Sequence, residues 1–148
     1  MTQSLPSTSR SLPIALLRAR ERVMGPIRGM LASVDITEQQ WRVLRVLQEN
    51  GPMEPTRISE EACLLLPSLT RILQKLEEKG MIQRERDSMD RRKQIVKIAQ
   101  SGEEIIATNL EKSVELSEAI RQRMGPDDYD ALLNLLNKLE QSEAGHDQ

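Results

Sequence analysis

The sequence predicts a mostly α-helical chain with one small β-hairpin, an α+β arrangement in which the sheet is the minor part. Three observations predict it. Apolar residues recur at helical spacing through most of the 148 residues. The period changes only over residues 81–98, where two short strand-favouring runs flank a charged turn. Thr, Ser, Pro and Gly stand where helices should start and stop around that change.

Taken in order, the first element runs over residues 12–33. Leu16, Val23, Met24, Ile27, Met30 and Leu31 repeat at helical spacing, and Gly25-Pro26 predicts a kink or break. Asp35-Ile36-Thr37 opens the second helix. Thr37 and Gln40 have the spacing of a capping box, and Ile36 and Trp41 hold the two staple positions. That helix continues through Val43, Leu44 and Leu47 to Asn50-Gly51-Pro52. Pro55 to Ala62 is a short helix with Pro in its first turn, and Cys63 to Leu66 is a turn. Pro67 opens the next helix, which buries Leu69, Ile72, Leu73 and Leu76 and ends at Lys79-Gly80. Met81 to Arg86 and Gln94 to Ile98 are the strands, joined by the polar turn Asp87 to Arg92. Ser101-Gly102-Glu103-Glu104 has the pattern of a second capping box and opens a long helix through Ile105, Ile106, Leu110, Val114, Ile120 and Met124. Gly125-Pro126 ends it. The last helix carries Tyr129, Leu132, Leu133, Leu136 and Leu139, a stripe read as dimer core.

Composition removes several function classes. One His (His146, in a polar tail), one Cys and no nucleophile–base pair leave no expected enzyme, metal site or cofactor. Two aromatic residues, Trp41 and Tyr129, cannot form a base-stacking platform for single strands. No apolar run approaches the roughly 18 residues that span a membrane, and Met1 to Arg10 lacks a secretory core. The expected setting is cytoplasmic.

Charge is unevenly placed. Residues 67–98 carry nine basic and five acidic side chains, whereas residues 99–148 carry four basic and eleven acidic ones. A basic middle beside an acidic last third points to one polyanion-binding face and a separate region for something else. The order of elements around that basic stretch is that of a winged helix-turn-helix. Its second helix fits a major groove and its hairpin tip reaches the adjacent minor groove. Ser68, Thr70, Arg71, Gln74 and Lys75 fall on the polar side of the reading helix. These side-chain types read base edges or hold phosphates. At the tip, Arg92 suits a narrow minor groove and Asp90 can hold it extended. The bland alternative is a solvated helix face and a charged turn.

Leu69 to Arg84, and Asp87-x-x-Asp90-Arg91-Arg92 followed by Ile98-x-x-x-Gly102, resemble the reading helix and wing of the MarR family of repressors. Ser88 and Ala99 stand where that family usually carries Pro and Thr. The resemblance spans roughly residues 12–141. It implies that Arg92 enters the minor groove braced by Asp90 and that Arg91 touches phosphate. It implies that Ser68, Thr70, Arg71 and Gln74 face the major groove while Lys75 and Thr56 hold the backbone. Ile14 to Glu21, Thr37 to Arg42 and Ala62 to Thr70 are further similar to the subgroup that represses homoprotocatechuate (3,4-dihydroxyphenylacetate) degradation operons. That similarity implies a small aromatic carboxylate as effector. Its pocket would lie where the first helix, the helix from Thr37 and the long helix meet near a dimer interface.

Three residues are candidates for that pocket. Arg20 falls inside the apolar stripe of its helix and needs a partner. A ligand carboxylate would serve, as would Glu21, Glu118 or another acid across a subunit interface. Trp41 is either a staple and core residue or a pocket wall. The ligand role of Arg42 rests on the resemblance alone. Cys63, in the turn between the two DNA-binding helices, reads as a small buried packing residue, with redox sensing as the sharper alternative.

The expected organisation is a polar tail (1–11), a helical dimerisation region (12–33 and 101–141), a winged helix-turn-helix DNA-binding domain (34–100) and a polar tail (142–148). The expected protein is a homodimeric repressor of an aromatic-acid catabolic operon. It would bind a pseudo-palindromic double-stranded operator and be released by the aromatic acid. A repressor sensing oxidants through Cys63, and a winged helix used for protein contacts, remain the alternatives.

Overall fold

A computed structural model describes residues 4–142; His146 and the tail beyond Ser142 lie outside the described residues. The chain divides between Lys112 and Ser113 into two compact units.

The first unit opens with a 3-10 turn at Thr8–Arg10, within the stretch expected to be a plain tail, and continues into α1 (Leu12–Ala32). Gly25-Pro26 does not break α1, which runs on through Pro26. Proline removes the N–H that would bond the carbonyl of Arg22. Both residues are exposed, so water can satisfy that carbonyl. Then come α2 (Glu38–Asn50), α3 (Pro55–Ala62) and α4 (Leu66–Glu78). The hairpin follows as β1 (Ile82–Arg86) and β2 (Gln94–Ile98), antiparallel, with Ile82 opposite Ile98 and Arg86 opposite Gln94. Met53, from the loop between α2 and α3, adds a one-residue bridge to Val96, its N–H and C=O both bonded at 2.9 and 2.8 Å.

The Thr37 capping box forms in full. The Thr37 hydroxyl accepts the Gln40 N–H, and the Gln40 side chain accepts the Thr37 N–H, both at 3.1 Å. The box expected at Ser101 does not form. Helix α5 (Gln100–Met124) starts one residue earlier, and the Ser101 hydroxyl instead donates to the Gly80 carbonyl at 2.7 Å. Ser101 therefore lies inside the first turn and is not its cap, and the hydroxyl that a capping box would use as an acceptor serves as a donor to a carbonyl 21 residues back. Beside it, Gly102 lies against the hairpin base. A Cβ there would sit 2.5 Å from the Met81 carbonyl oxygen and 2.8 Å from Ile98 Cγ1, so only glycine allows this approach.

These contacts close one core. Val43, Leu44 and Leu47 of α2, Ile58 of α3, Leu69, Leu73 and Leu76 of α4, Ile82 and Val96 of the hairpin and Ile106 of α5 are all buried. Each such side chain contributes about 1.5–3 kcal/mol when fully buried. Ile72 and Trp41 are partly buried against the same cluster.

The second unit holds the last turns of α5 and α6 (Pro126–Gln141), separated by Gly125, whose φ of +93° ends the helix. No residue of α6 is buried, and Leu132, Leu133, Leu135 and Leu139 are exposed.

Candidate functional site

Helix α4 forms because its apolar residues keep one face and its polar residues the other. Leu69, Leu73 and Leu76 anchor it to the core, which leaves Thr70, Arg71, Gln74 and Lys75 exposed and Ser68 half-exposed. Pro67 supplies the first turn in place of a side-chain cap. Depressions flank the helix. One, of about 350 Å³, brings Ser68, Arg71 and Lys75 together with Thr37 and Gln39 at the start of α2. The other, of about 380 Å³, brings Thr56 and Thr70 together with Arg92, Lys93 and Gln94. Six of the nine residues expected to touch DNA therefore line these two hollows. Gln39 was not among the expected residues and has no motif to mark it. Lys93 was legible as the third cation of the run Arg91-Arg92-Lys93.

Donor and acceptor roles are partly fixed already. The Thr70 hydroxyl donates to the Leu66 carbonyl at 3.0 Å, so its oxygen is left to accept. At the wing tip Asp90 accepts from the Arg92 backbone N–H and from Arg92 Nε, both at 3.1 Å. That brace holds a guanidinium whose side chain is 92% exposed. The side-chain and backbone hydrogen bonds from Arg92 keep the Asp90 carboxyl below its ordinary pKa, so it stays ionised. The turn is closed by the Lys93 N–H on the Asp90 carbonyl and the Asp87 N–H on the Lys93 carbonyl. Arg86 bonds the Arg91 carbonyl at 3.2 Å, leaving the Arg91 side chain exposed.

A second charged cluster joins α1 to α2. Arg20 pairs with Glu38, an acid of the same unit and not the Glu21 or Glu118 that the sequence offered. Glu21 is taken by Arg28, which also bonds Glu38 at 2.9 Å. Burial works against the charge of Glu38, but the hydrogen bonds from Arg28 and Arg20 outweigh it and hold its pKa below the ordinary value. Arg42 reaches Glu38 at 3.4 Å and donates to the Ala62 carbonyl at 2.8 Å. Arg20 and Arg42 thus meet on one carboxylate, with Trp41 next in sequence and packed on the core.

Cys63 differs from the expectation. It is exposed, not buried, because it closes α3 in the left-handed conformation (φ +54°, ψ +53°) and its side chain turns outward. Among the described residues no group of His, Cys, Asp and Glu could hold a metal ion, and no helix is long and apolar enough to cross a membrane.

Known proteins share this arrangement. Residues 36–93 match the MarR family. The chain is 36% identical to the HTH-type transcriptional regulator FarR of Neisseria gonorrhoeae over 137 residues, 91% of this chain and 94% of that one. It is 38% identical to the homoprotocatechuate degradative operon repressor of Escherichia coli over 112 residues, 76% of this chain and 74% of that one. The solved structure of NadR in complex with 4-hydroxyphenylacetate superposes with a TM-score of 0.82 at 36% identity, covering 97% of this chain and 99% of that one. With its reading helix, its wing and these relatives, the chain belongs to the MarR family and is a winged-helix transcriptional repressor.

Proposed function

We propose that the protein is a cytoplasmic homodimer that represses an operon for aromatic-acid breakdown and leaves a pseudo-palindromic operator when a small phenolic or aromatic carboxylate binds. The observation that carries the DNA reading is the flank of α4, where Ser68, Arg71 and Lys75 line one hollow and Thr56, Thr70 and Arg92 the other. In that reading α4 lies in the major groove, and Ser68, Thr70, Arg71 and Gln74 meet base edges. Lys75, Thr56 and Arg91 hold phosphates, and Arg92, braced by Asp90, enters the minor groove. Residues 34–100 act as the DNA-binding domain. Residues 12–33 and 101–141 act as the dimerisation region, since the exposed leucines of α6 need a cover and a second copy supplies the same stripe. The effector class is supported by the likeness to the homoprotocatechuate degradative operon repressor and to NadR, whose structure holds 4-hydroxyphenylacetate. Arg20, Arg42 and Trp41 are its proposed contacts.

The test is a fluorescence-anisotropy titration with duplex DNA from upstream of the protein's own gene, at fixed salt, with and without 4-hydroxyphenylacetate or 3,4-dihydroxyphenylacetate. Tight binding that either acid weakens is the expected result. Tight binding indifferent to both removes the effector and keeps the repressor. Binding no tighter than to a random duplex removes the operator reading and favours a protein-contact role. The exposure of Cys63 supports one second reading, an oxidant-sensing repressor. Mild peroxide should then oxidise Cys63 and abolish operator binding together.

A further inference from the structure

Glu38 collects three arginines. Arg20 and Arg28 reach it from α1 and Arg42 from its own helix, one turn on. Its side chain is only 11% exposed. Its two oxygens divide the work: Oε2 takes Arg20 and Arg42, whereas Oε1 takes Arg28. Arg28 also holds Glu21, so three guanidiniums share two carboxylates and the cluster keeps a surplus of one positive charge. That surplus lies on the Arg20 and Arg42 side, because Arg28 is served by two acids.

We infer that Glu38 is an internal carboxylate that holds the effector's place, and that the carboxylate of an aromatic acid binds by replacing Glu38 Oε2 on Arg20 and Arg42. This rests on the effector reading above. A ligand carboxylate presents the same pair of oxygens to the same guanidinium forks. The displaced Glu38 is not left unpaired, because Arg28 still bonds Oε1 and the first turn of α2 favours a negative charge. The exchange reaches the reading helix by a short route. The Arg42 guanidinium that turns towards the ligand is the one that bonds the Ala62 carbonyl at the end of α3, four residues before α4 begins. Glu38 therefore sets the threshold concentration of acid, and the charge of the ligand, not its ring alone, is what Glu38 competes with.

The test compares the full-length protein with its Glu38→Gln and Glu38→Asp variants. Calorimetric titrations use 4-hydroxyphenylacetate and its neutral counterpart 4-hydroxyphenylacetamide, and thermal melts establish that each variant is folded. Glu38→Gln is expected to bind the acid about tenfold more tightly, and the amide within about twofold of wild type. Glu38→Asp keeps the charge but is one methylene too short to hold the α1 arginines, and should tighten the acid by a smaller factor. A folded variant that binds the acid no more tightly than wild type overturns the inference, and Glu38→Asp decides if Glu38→Gln does not fold. Equal tightening of acid and amide overturns it too, since the competition would not be between carboxylates. Uptake of the acid by Glu38→Gln and none by wild type supports the internal carboxylate in its strongest form. If neither wild type nor either variant takes up the acid, the effector reading fails and the inference with it.

Discussion

Helices α4 and α6 carry nearly the same spacing of leucines and put it to opposite uses. In α4, Leu69, Leu73 and Leu76 are at most 2% exposed, held by α2, α3 and the hairpin. In α6, Leu132, Leu133, Leu135 and Leu139 remain 40–63% exposed, and the helix buries nothing. The reading unit therefore completes its core from its own chain. The second unit presents an exposed apolar stripe, which is the face proposed above to be covered by a second copy. Local periodicity alone reports that a helix has an apolar face; only the tertiary neighbours decide whether that face is core or interface.

The largest expected effect breaks the interface half of that comparison. Leu132→Glu with Leu139→Glu should convert the proposed dimer to a monomer in sedimentation. Operator affinity should then fall by about 10²–10⁴-fold, because two linked half-site contacts become one. A double variant that remains dimeric would show that α6 is not the interface. The counterpart breaks the core half. Leu76→Ala removes a fully buried side chain and should lower stability by about 2–5 kcal/mol in chemical denaturation. A loss under about 1 kcal/mol would mean that α4 is held by something other than its leucines.

The same contrast explains what was legible in the sequence. Elements made by neighbours in the chain could be read directly. The Thr37–Gln40 box, the leucine face of α4 and the Asp90–Arg92 brace all join residues two to seven positions apart, and all three form. Features decided across the fold could not. Ser101 had the spacing of a cap but found Gly80; Arg20 needed an acid and found Glu38, 18 residues on. Cys63 looked like a buried spacer because nothing local showed that α3 ends in a left-handed residue there, a place usually given to glycine. Gly25-Pro26 predicts a kink or a break; the helix is not broken there, because the one carbonyl that proline leaves without an N–H lies at an exposed position. The polar residues of α4 were found by pattern, whereas Gln39 joins them only because α2 starts beside that helix.

A smaller effect separates the two ways the reading unit is proposed to meet DNA. Arg92→Ala should weaken operator binding by about 1–3 kcal/mol and lower the salt slope by roughly one, measured by anisotropy across a salt series. Asp90→Asn should weaken it less, since the guanidinium keeps its charge and loses only its brace. Neither change should alter the melting of the core, because Arg92 is almost fully exposed. A change in melting as large as the change in binding would make the wing tip a structural element.

The smallest expected effect concerns the join between α1 and α2, where ion pairs to Glu38 add to the burial of Met30 and Leu31. Glu38 has a folded-state pKa below its ordinary value of 4.5, with burial opposing and the Arg28 and Arg20 hydrogen bonds prevailing. Such a group adds stability above its ordinary pKa and loses that contribution as pH falls through the lower, folded value. Arg20 and Arg28 are 44% and 39% exposed, so solvent screens the pairs and the contribution is about 1 kcal/mol or less. Thermal melts of wild type and Glu38→Gln should therefore differ by a small, constant amount well above the ordinary value of 4.5, and the difference should shrink only as pH falls below it. Convergence already near pH 6 would mean that Glu38 is protonated more easily than an ordinary carboxyl, and the arginines would then be holding it far more weakly than their geometry implies. A difference that persists unchanged below pH 3 would assign the loss to packing of the side chain, and α1 would be attached to α2 in the same way that α4 is attached to its core.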